Sequence, residues 1–111
     1  MKIPATVIWY NPDDENIKNI RTYIDYVEKL YIIDNSKENN KKLADSLNNL
    51  KAEYICNNKN LGIAKALNLA CEKAVNDNFE WILTMDQDSS FDSDSIKSVS
   101  YTHLRAHETP E

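Results

Sequence analysis

A chain of 111 residues has room for one small domain with one core and no more. Its net charge of -5 gives no basic face for a nucleic-acid partner. No apolar run approaches the length of a membrane span, and the opening "MKIPATVIWY" has no signal-cleavage pattern, so a cytoplasmic location is expected. The two cysteines, Cys56 and Cys71, lack CxxC spacing and read as buried, reduced thiols rather than as zinc ligands or a redox pair.

In chain order, "ATVIWY" (5–10) is a β-rich run stopped by Asn11-Pro12. Ile17, Ile20, Ile24, Val27 and Tyr31 then recur at three- and four-residue steps, the stripe of an amphipathic helix with an acidic start, "DDE". "YIIDN" reads as a second strand, and Leu43, Leu47 and Leu50 mark a second helix. "AEYIC" is a third strand, followed by a third helix on Ile63, Leu67, Ala70, Ala74 and Val75, and "WILTM" is a fourth strand. Strands separated by single helices imply parallel pairing through right-handed crossovers, hence an α/β fold with an open, mainly parallel, Rossmann-like sheet.

Such sheets bind ligands beyond the carboxyl ends of their strands. Asn11-Pro12, Asp34-Asn35, Asn57-Asn58 and the pair Asp86 and Asp88 all fall at those ends, although Asn and Asp also make good turn residues. The acidic pair is harder to explain as a turn. At an extended strand tip, residues i and i+2 point to one side, so two carboxylates would share a small volume at a cost that a cation removes. A hard divalent ion, Mg2+ or Mn2+, accepts carboxylate oxygens and keeps positions open for phosphate and water. A calcium loop over "DQDSSFDSD" is disfavoured, because the sixth and twelfth positions hold Phe91 and Lys97 where an EF-hand needs Gly and Glu. Asp92 and Asp94 read as caps of a helix beginning "DSDSIKSV".

The only glycine, Gly62, opens the third helix inside "NKNLGIAKALNLA". It either lets the backbone pass close to a ligand, takes a positive φ, or forms a tight helix entry. The stretch is neither GxGxxG nor a P-loop, which disfavours dinucleotide and Walker-type phosphate binding.

The ordered set "VIWYNP", "IIDNS", "NLGIAKALNLA" and "MDQDS" resembles the N-terminal nucleotide-sugar-binding half of a family 2 glycosyltransferase with the GT-A fold. The DQDS form is most similar to rhamnosyltransferase-type members, and the match runs from Val7 to about Phe91. The resemblance implies a nucleoside pocket lined by Tyr10, Asn11, Pro12 and Asp34, with Asp34 on the base or ribose. It implies a nucleotide-flanking segment carrying Asn60, Gly62, Ala66 and Asn68, and a DxD motif at Asp86 and Asp88 in which the second aspartate is the main metal contact. The implied reaction transfers a sugar, rhamnose by the DQDS form, from a nucleotide-diphosphate donor to a saccharide or lipid-linked acceptor. The resemblance further implies inversion by direct displacement, a divalent cation, and polysaccharide biosynthesis at the inner face of a membrane with peripheral association.

The final string "VSYTHLRAHETPE" departs from the Asn- and Lys-rich composition before it and carries both histidines, His103 and His107. From Val99 to Thr109 it resembles translated sequencing-adapter DNA. The expected organisation is therefore a donor-binding half over 1–98, truncated before the acceptor half and its catalytic base, and a non-native tail over 99–111. Such a fragment is expected to be catalytically inactive, with an open sheet edge on the fourth strand or its neighbour. The alternative from another class is a receiver-type signalling domain with Asp34 as phosphoacceptor. Its weakness is the first strand, which ends in Tyr-Asn-Pro and not in an acidic pair.

Overall fold

The computed structural model describes residues 3–90 and 100–104. Five strands form one sheet in the order β3-β2-β1-β4-β5. β1 (Ala5–Trp9), β2 (Leu30–Asp34), β3 (Ala52–Cys56) and β4 (Trp81–Met85) are parallel, and β5 (Ser100–His103) runs antiparallel to β4. Asp92 and Asp94 lie outside the described residues.

The period-two alternation of the strands sorts the core into two layers. Ala5, Val7, Trp9, Leu30, Ile32, Leu83 and Met85 face the layer of α1 (Asp14–Arg21) and α2 (Lys41–Asp45). Tyr31, Ile33 and Ile82 face α3 (Ile63–Asn76), which meets the sheet through Ala66, Ala70 and Ala74. Each of these small residues is fully buried, so the helix backbone lies close against the sheet. Burying one Ile, Leu or Val contributes about 1.5–3 kcal/mol, and the two layers together commit both faces of the sheet.

The first two crossovers step outward from β1 to β2 to β3, whereas the third returns over the other face to place β4 on the far side of β1. The direction of winding therefore reverses between β1 and β4. In open parallel sheets a crevice opens at such a reversal.

Three details differ from the periodicity. The stripe from Ile17 to Tyr31 is buried throughout, but α1 stops at Arg21: Thr22 caps it, with its hydroxyl donating to Asn19 O at 2.6 Å. Ile24 then lies in a 3-10 turn (Ile24–Tyr26), Val27 in extended backbone, and Tyr31 in β2. Regular spacing here records burial through three kinds of backbone. Likewise α2 spans five residues; Leu47 is buried beyond its end, and Leu50 is fully exposed. Finally, of the two places expected for an open edge, the fourth strand or its neighbour, β4 is paired with β5, and β5 is the last strand on that side among the described residues. Leu104 anchors that strand by burying its side chain in the α3 layer, and the His103 ring packs on Trp81 at 4.6 Å. Of the two cysteines, Cys71 is buried and Cys56 half-buried, both as free thiols.

Candidate functional site: a cleft at the carboxyl ends of the strands

A cleft of about 400 Å³ opens where the winding reverses. Ile8 and Tyr10 come from β1 and its end, Thr84 and Met85 from β4, and Asp86 and Gln87 from the turn beyond it. Asn35 follows β2, and Asn60, Gly62, Ile63 and Leu67 close the α3 side. Its floor is aliphatic and its rim polar. Among the described residues lining it, Asp86 is the only charged one.

The acid pair sits on a turn and not on an extended tip. Ser89 N donates to Asp86 O at 3.0 Å, closing a β-turn over Asp86–Ser89. Both carboxylates are exposed, and among the described residues neither enters an ion pair. Asp86 lines the cleft, while Asp88 Oδ1 lies 3.5 Å from Asn16 Nδ2. Among the described residues no three His, Cys, Asp or Glu side chains converge as a closed metal cage. Of the two carboxylates only Asp86 lines the cleft; hard carboxylate oxygens are the donor type that Mg2+ or Mn2+ takes, and they are not the donor set of a structural zinc site.

The resemblance-derived residues divide. Tyr10, Asn60, Gly62 and Asp86 line the cleft together. Asn11, at φ 46°, turns the chain away from β1 with its N–H donating to Ser36 Oγ at 2.7 Å, and Pro12 leads into the capping box of α1 formed by Asp13 and Asn16. Ala66 lies on the buried face of α3, in the core. Asn68 faces a separate depression of about 210 Å³ with Leu61, Lys65, Leu69 and Glu72.

Asp34 is fully buried at the end of β2. Its Oδ1 accepts from Ser36 N at 2.9 Å; its Oδ2 accepts from Asn40 Nδ2 at 2.9 Å and from the Tyr54 hydroxyl at 2.5 Å. Burial and the adjacent Asp34 carboxylate push the Tyr54 phenol well above its usual value, so it stays a donor. A carboxylate enclosed in this way offers no access to a phosphoryl donor, which removes the receiver-type alternative.

Gly62 takes φ 86° and ψ 160°, a conformation essentially confined to glycine. Among the described residues, and apart from Gly62 and its chain neighbours, no heavy atom lies within 4 Å of where its Cβ would be, so the constraint is the backbone. Asn60 Oδ1 accepts from Gly62 N at 2.9 Å, and Gly62 O accepts from Asn35 Nδ2 at 3.2 Å. Among the described residues no side chain caps the N-terminus of α3, where first-turn N–H groups and the positive end of its dipole lie.

Two contributors carried no motif of their own. Asn35 joins the β2 end to the α3 entry and accepts from Asn57 Nδ2 at 2.8 Å. Gln87, the residue between the two aspartates, reaches the end of β1: its Oε1 accepts from Tyr10 N at 2.7 Å and its Nε2 donates to Tyr10 O at 3.2 Å. The signal for Gln87 was the letter inside "DQDS", whose partner is invisible until β1 and β4 are known to be neighbours.

The Glycosyl transferase family 2 model matches residues 14–105. The dTDP-rhamnosyl transferase RfbF of Shigella flexneri is 31% identical over 99 residues, covering 88% of this chain and 33% of that protein. The chain thus spans about a third of the length of this curated relative. S. aureus TarS 1-349 in complex with UDP-GlcNAc superposes with a TM-score of 0.68 at 20% identity, over 87% of this chain and 29% of that one. GalNAc-T7 with UDP, GalNAc and Mn2+ gives 0.64 at 16% identity, over 78% and 17%. These structures share the GT-A fold, so the four-stranded parallel sheet here is its N-terminal portion. With the family model covering most of the chain, the protein belongs to glycosyl transferase family 2.

Proposed function

We propose that this chain forms the donor-binding part of a glycosyltransferase that takes a sugar, rhamnose by similarity to RfbF, from a nucleotide-diphosphate carrier. The observation that carries the reading is the cleft itself: among the described residues it offers an aliphatic floor, the uncapped N-terminus of α3 and one carboxylate, but no lysine or arginine. A diphosphate brought against Asp86 needs a positive counter-charge, and Asp86 with Asp88 would hold a divalent cation that supplies it. When bound, that ion acts as a Lewis acid for the departing nucleoside diphosphate. The Mn2+ and UDP held by GalNAc-T7 support the same requirement here.

The chain's own residues bind and orient. Tyr10 offers a half-exposed ring at the mouth, Asn60 and Gly62 bring backbone close to the ligand, and the buried Asp34 with Asn35 fixes the base of the pocket. Asn11 and Pro12 belong to the same donor-binding surface in this reading, whereas Asn68, on its own depression, stands outside it. We assign the acceptor pocket, a saccharide or lipid-linked acceptor, and the inverting base to the portion of the relatives that this chain does not cover. No helix among the described residues is long and apolar enough to cross a membrane, and contact with a lipid-linked acceptor would be peripheral, at the cytoplasmic face.

Calorimetric titration of the purified chain with dTDP and UDP, with Mn2+ and with EDTA, tests the donor reading. Saturable binding that needs the metal, without sugar transfer from a nucleotide sugar, is the expected result. Metal-independent binding or none refutes it. Residues 99–111 stand apart from this assignment; resequencing the source DNA across the Ser98 codon tests whether they are native.

A further inference from the structure

The last residue of β1 paired with β4 is Val7, opposite Met85. Beyond it the β1 chain continues to Tyr10, whose backbone N–H and C=O have lost their strand partner on that side. The Gln87 side-chain amide takes over: its Oε1 accepts from Tyr10 N and its Nε2 donates to Tyr10 O. One amide thereby acts as the peptide group that a longer β4 would have presented.

The same Nε2 donates to Asn16 Oδ1 at 2.9 Å, and Asn16 Nδ2 returns a bond to Gln87 O at 3.2 Å. Asn16 is buried, and its Oδ1 also accepts from Asp13 N at 2.9 Å in the capping box of α1. Asn19 Nδ2 adds a longer contact to Gln87 O at 3.4 Å. Gln87 is therefore tied to β1 by its side chain and to α1 by both side chain and backbone, while Asp86 and Asp88 flank it.

We propose that Gln87 is a positioning residue that holds Tyr10 and the acid turn in fixed register across the mouth of the cleft. The inference deepens the donor-binding reading and rests on it for its consequence in ligand affinity. The residue type follows from the geometry. The group must accept at one atom and donate at the next, at a reach Asn falls short of by one methylene; a carboxylate could accept from Tyr10 N but would oppose Tyr10 O and Asn16 Oδ1.

Amide hydrogen exchange on the full chain, free of ligand, reads the joint directly. In the unmodified protein the Tyr10 amide should be protected although no strand pairs with it. In Gln87→Met, similar in length and without the amide, Tyr10 exchange should rise at least about tenfold, the scale of one lost hydrogen bond, and more than that of Val7 in mid-strand. Gln87→Asn gives the second variant if the first folds poorly, with the same release expected. An unprotected Tyr10 amide in the unmodified chain, or unchanged exchange in both variants, overturns the proposal. Weaker Mn2+-dependent nucleoside diphosphate binding in the released variants supports the consequence, and undiminished binding overturns it. Should the variants release Tyr10 while the unmodified chain binds no nucleoside diphosphate, the donor reading falls and the role of Gln87 in holding Tyr10 is upheld.

Discussion

The two ends of the parallel sheet treat charge in opposite ways. At the amino end, Lys29 bridges Glu53 and Asp77 at 3.0 Å each, Lys73 bridges Glu53 at 2.8 Å, and the Tyr31 hydroxyl donates to Asp77 at 2.5 Å. Every member of that network is matched within the protein. At the carboxyl end, Asp86 and Asp88 project from a turn with no cationic partner among the described residues. The fold pairs four charged groups at one end and, among the described residues, leaves two carboxylates unmatched at the other, an asymmetry that supports the proposed donor site.

Removing the unmatched charges should have the largest effect. Asp86→Asn and Asp88→Asn should each weaken Mn2+-dependent nucleoside diphosphate binding by about ten- to a hundredfold, the scale of about 1.5–3 kcal/mol for a charged contact, as read by titration. The melting temperature of either variant should stay level or rise, since repulsion is lost and the amide oxygen of an asparagine at 88 can still accept from Asn16 Nδ2. A fall in stability would place these carboxylates in the structural class of the amino end.

Next in size is backbone strain at the cleft. Gly62→Ala forces a Cβ into a conformation at φ 86°, and should lower stability by about 1–3 kcal/mol in denaturant unfolding although nothing obstructs the methyl group.

Smaller, and confined to the amino end, is a pH signature. The bond from Lys73 holds Glu53 below the usual carboxylate range, and the Tyr31 hydroxyl does the same for Asp77. Their contribution is present above the unfolded carboxylate values near about 4 and is lost as pH falls through the lower folded values. The bond to Glu53 raises Lys29, whose contribution is complete below about 10.4 and is lost as pH rises through its folded value. The difference in melting temperature between the unmodified chain and Glu53→Gln should therefore hold steady from about pH 6 to 8 and close under acid. Solvent screening keeps it modest. Smallest of all is Leu50→Ser, which should change stability by no more than about 0.5 kcal/mol, because that side chain touches solvent alone.

Much of this organisation was legible in the residues. The four apolar runs coincide with β1 to β4, because short β-branched and aromatic runs bounded by Asn, Pro and Asp allow little else. Helix limits were less legible: Ile24, Val27 and Tyr31 continue the spacing of α1 after the helix has ended, and burial alone keeps them apolar. At the site, Asp86, Asn60, Gly62 and Tyr10 could be named from motifs. The turn that carries the acid pair, the enclosure of Asp34 by Tyr54 and Asn40, and the reach of Gln87 to Tyr10 could not, since each depends on which elements become neighbours. Asn68 shows the converse, a motif residue that opens onto a different depression.

The returning crossover also has a kinetic meaning. β1 meets β2 with a register offset of 25 residues, whereas the Gln87–Tyr10 joint closes a loop of 77. Closing the longer loop costs about 1 kcal/mol more in chain entropy, and β4 leaves the ribosome after the other three parallel strands. Docking of β4 is then a late event, and the cleft has no existence before it. A ligand that grips Tyr10 and Asp86 together would find nothing to bind during early folding, so its stabilisation would appear as slower unfolding and not as faster folding.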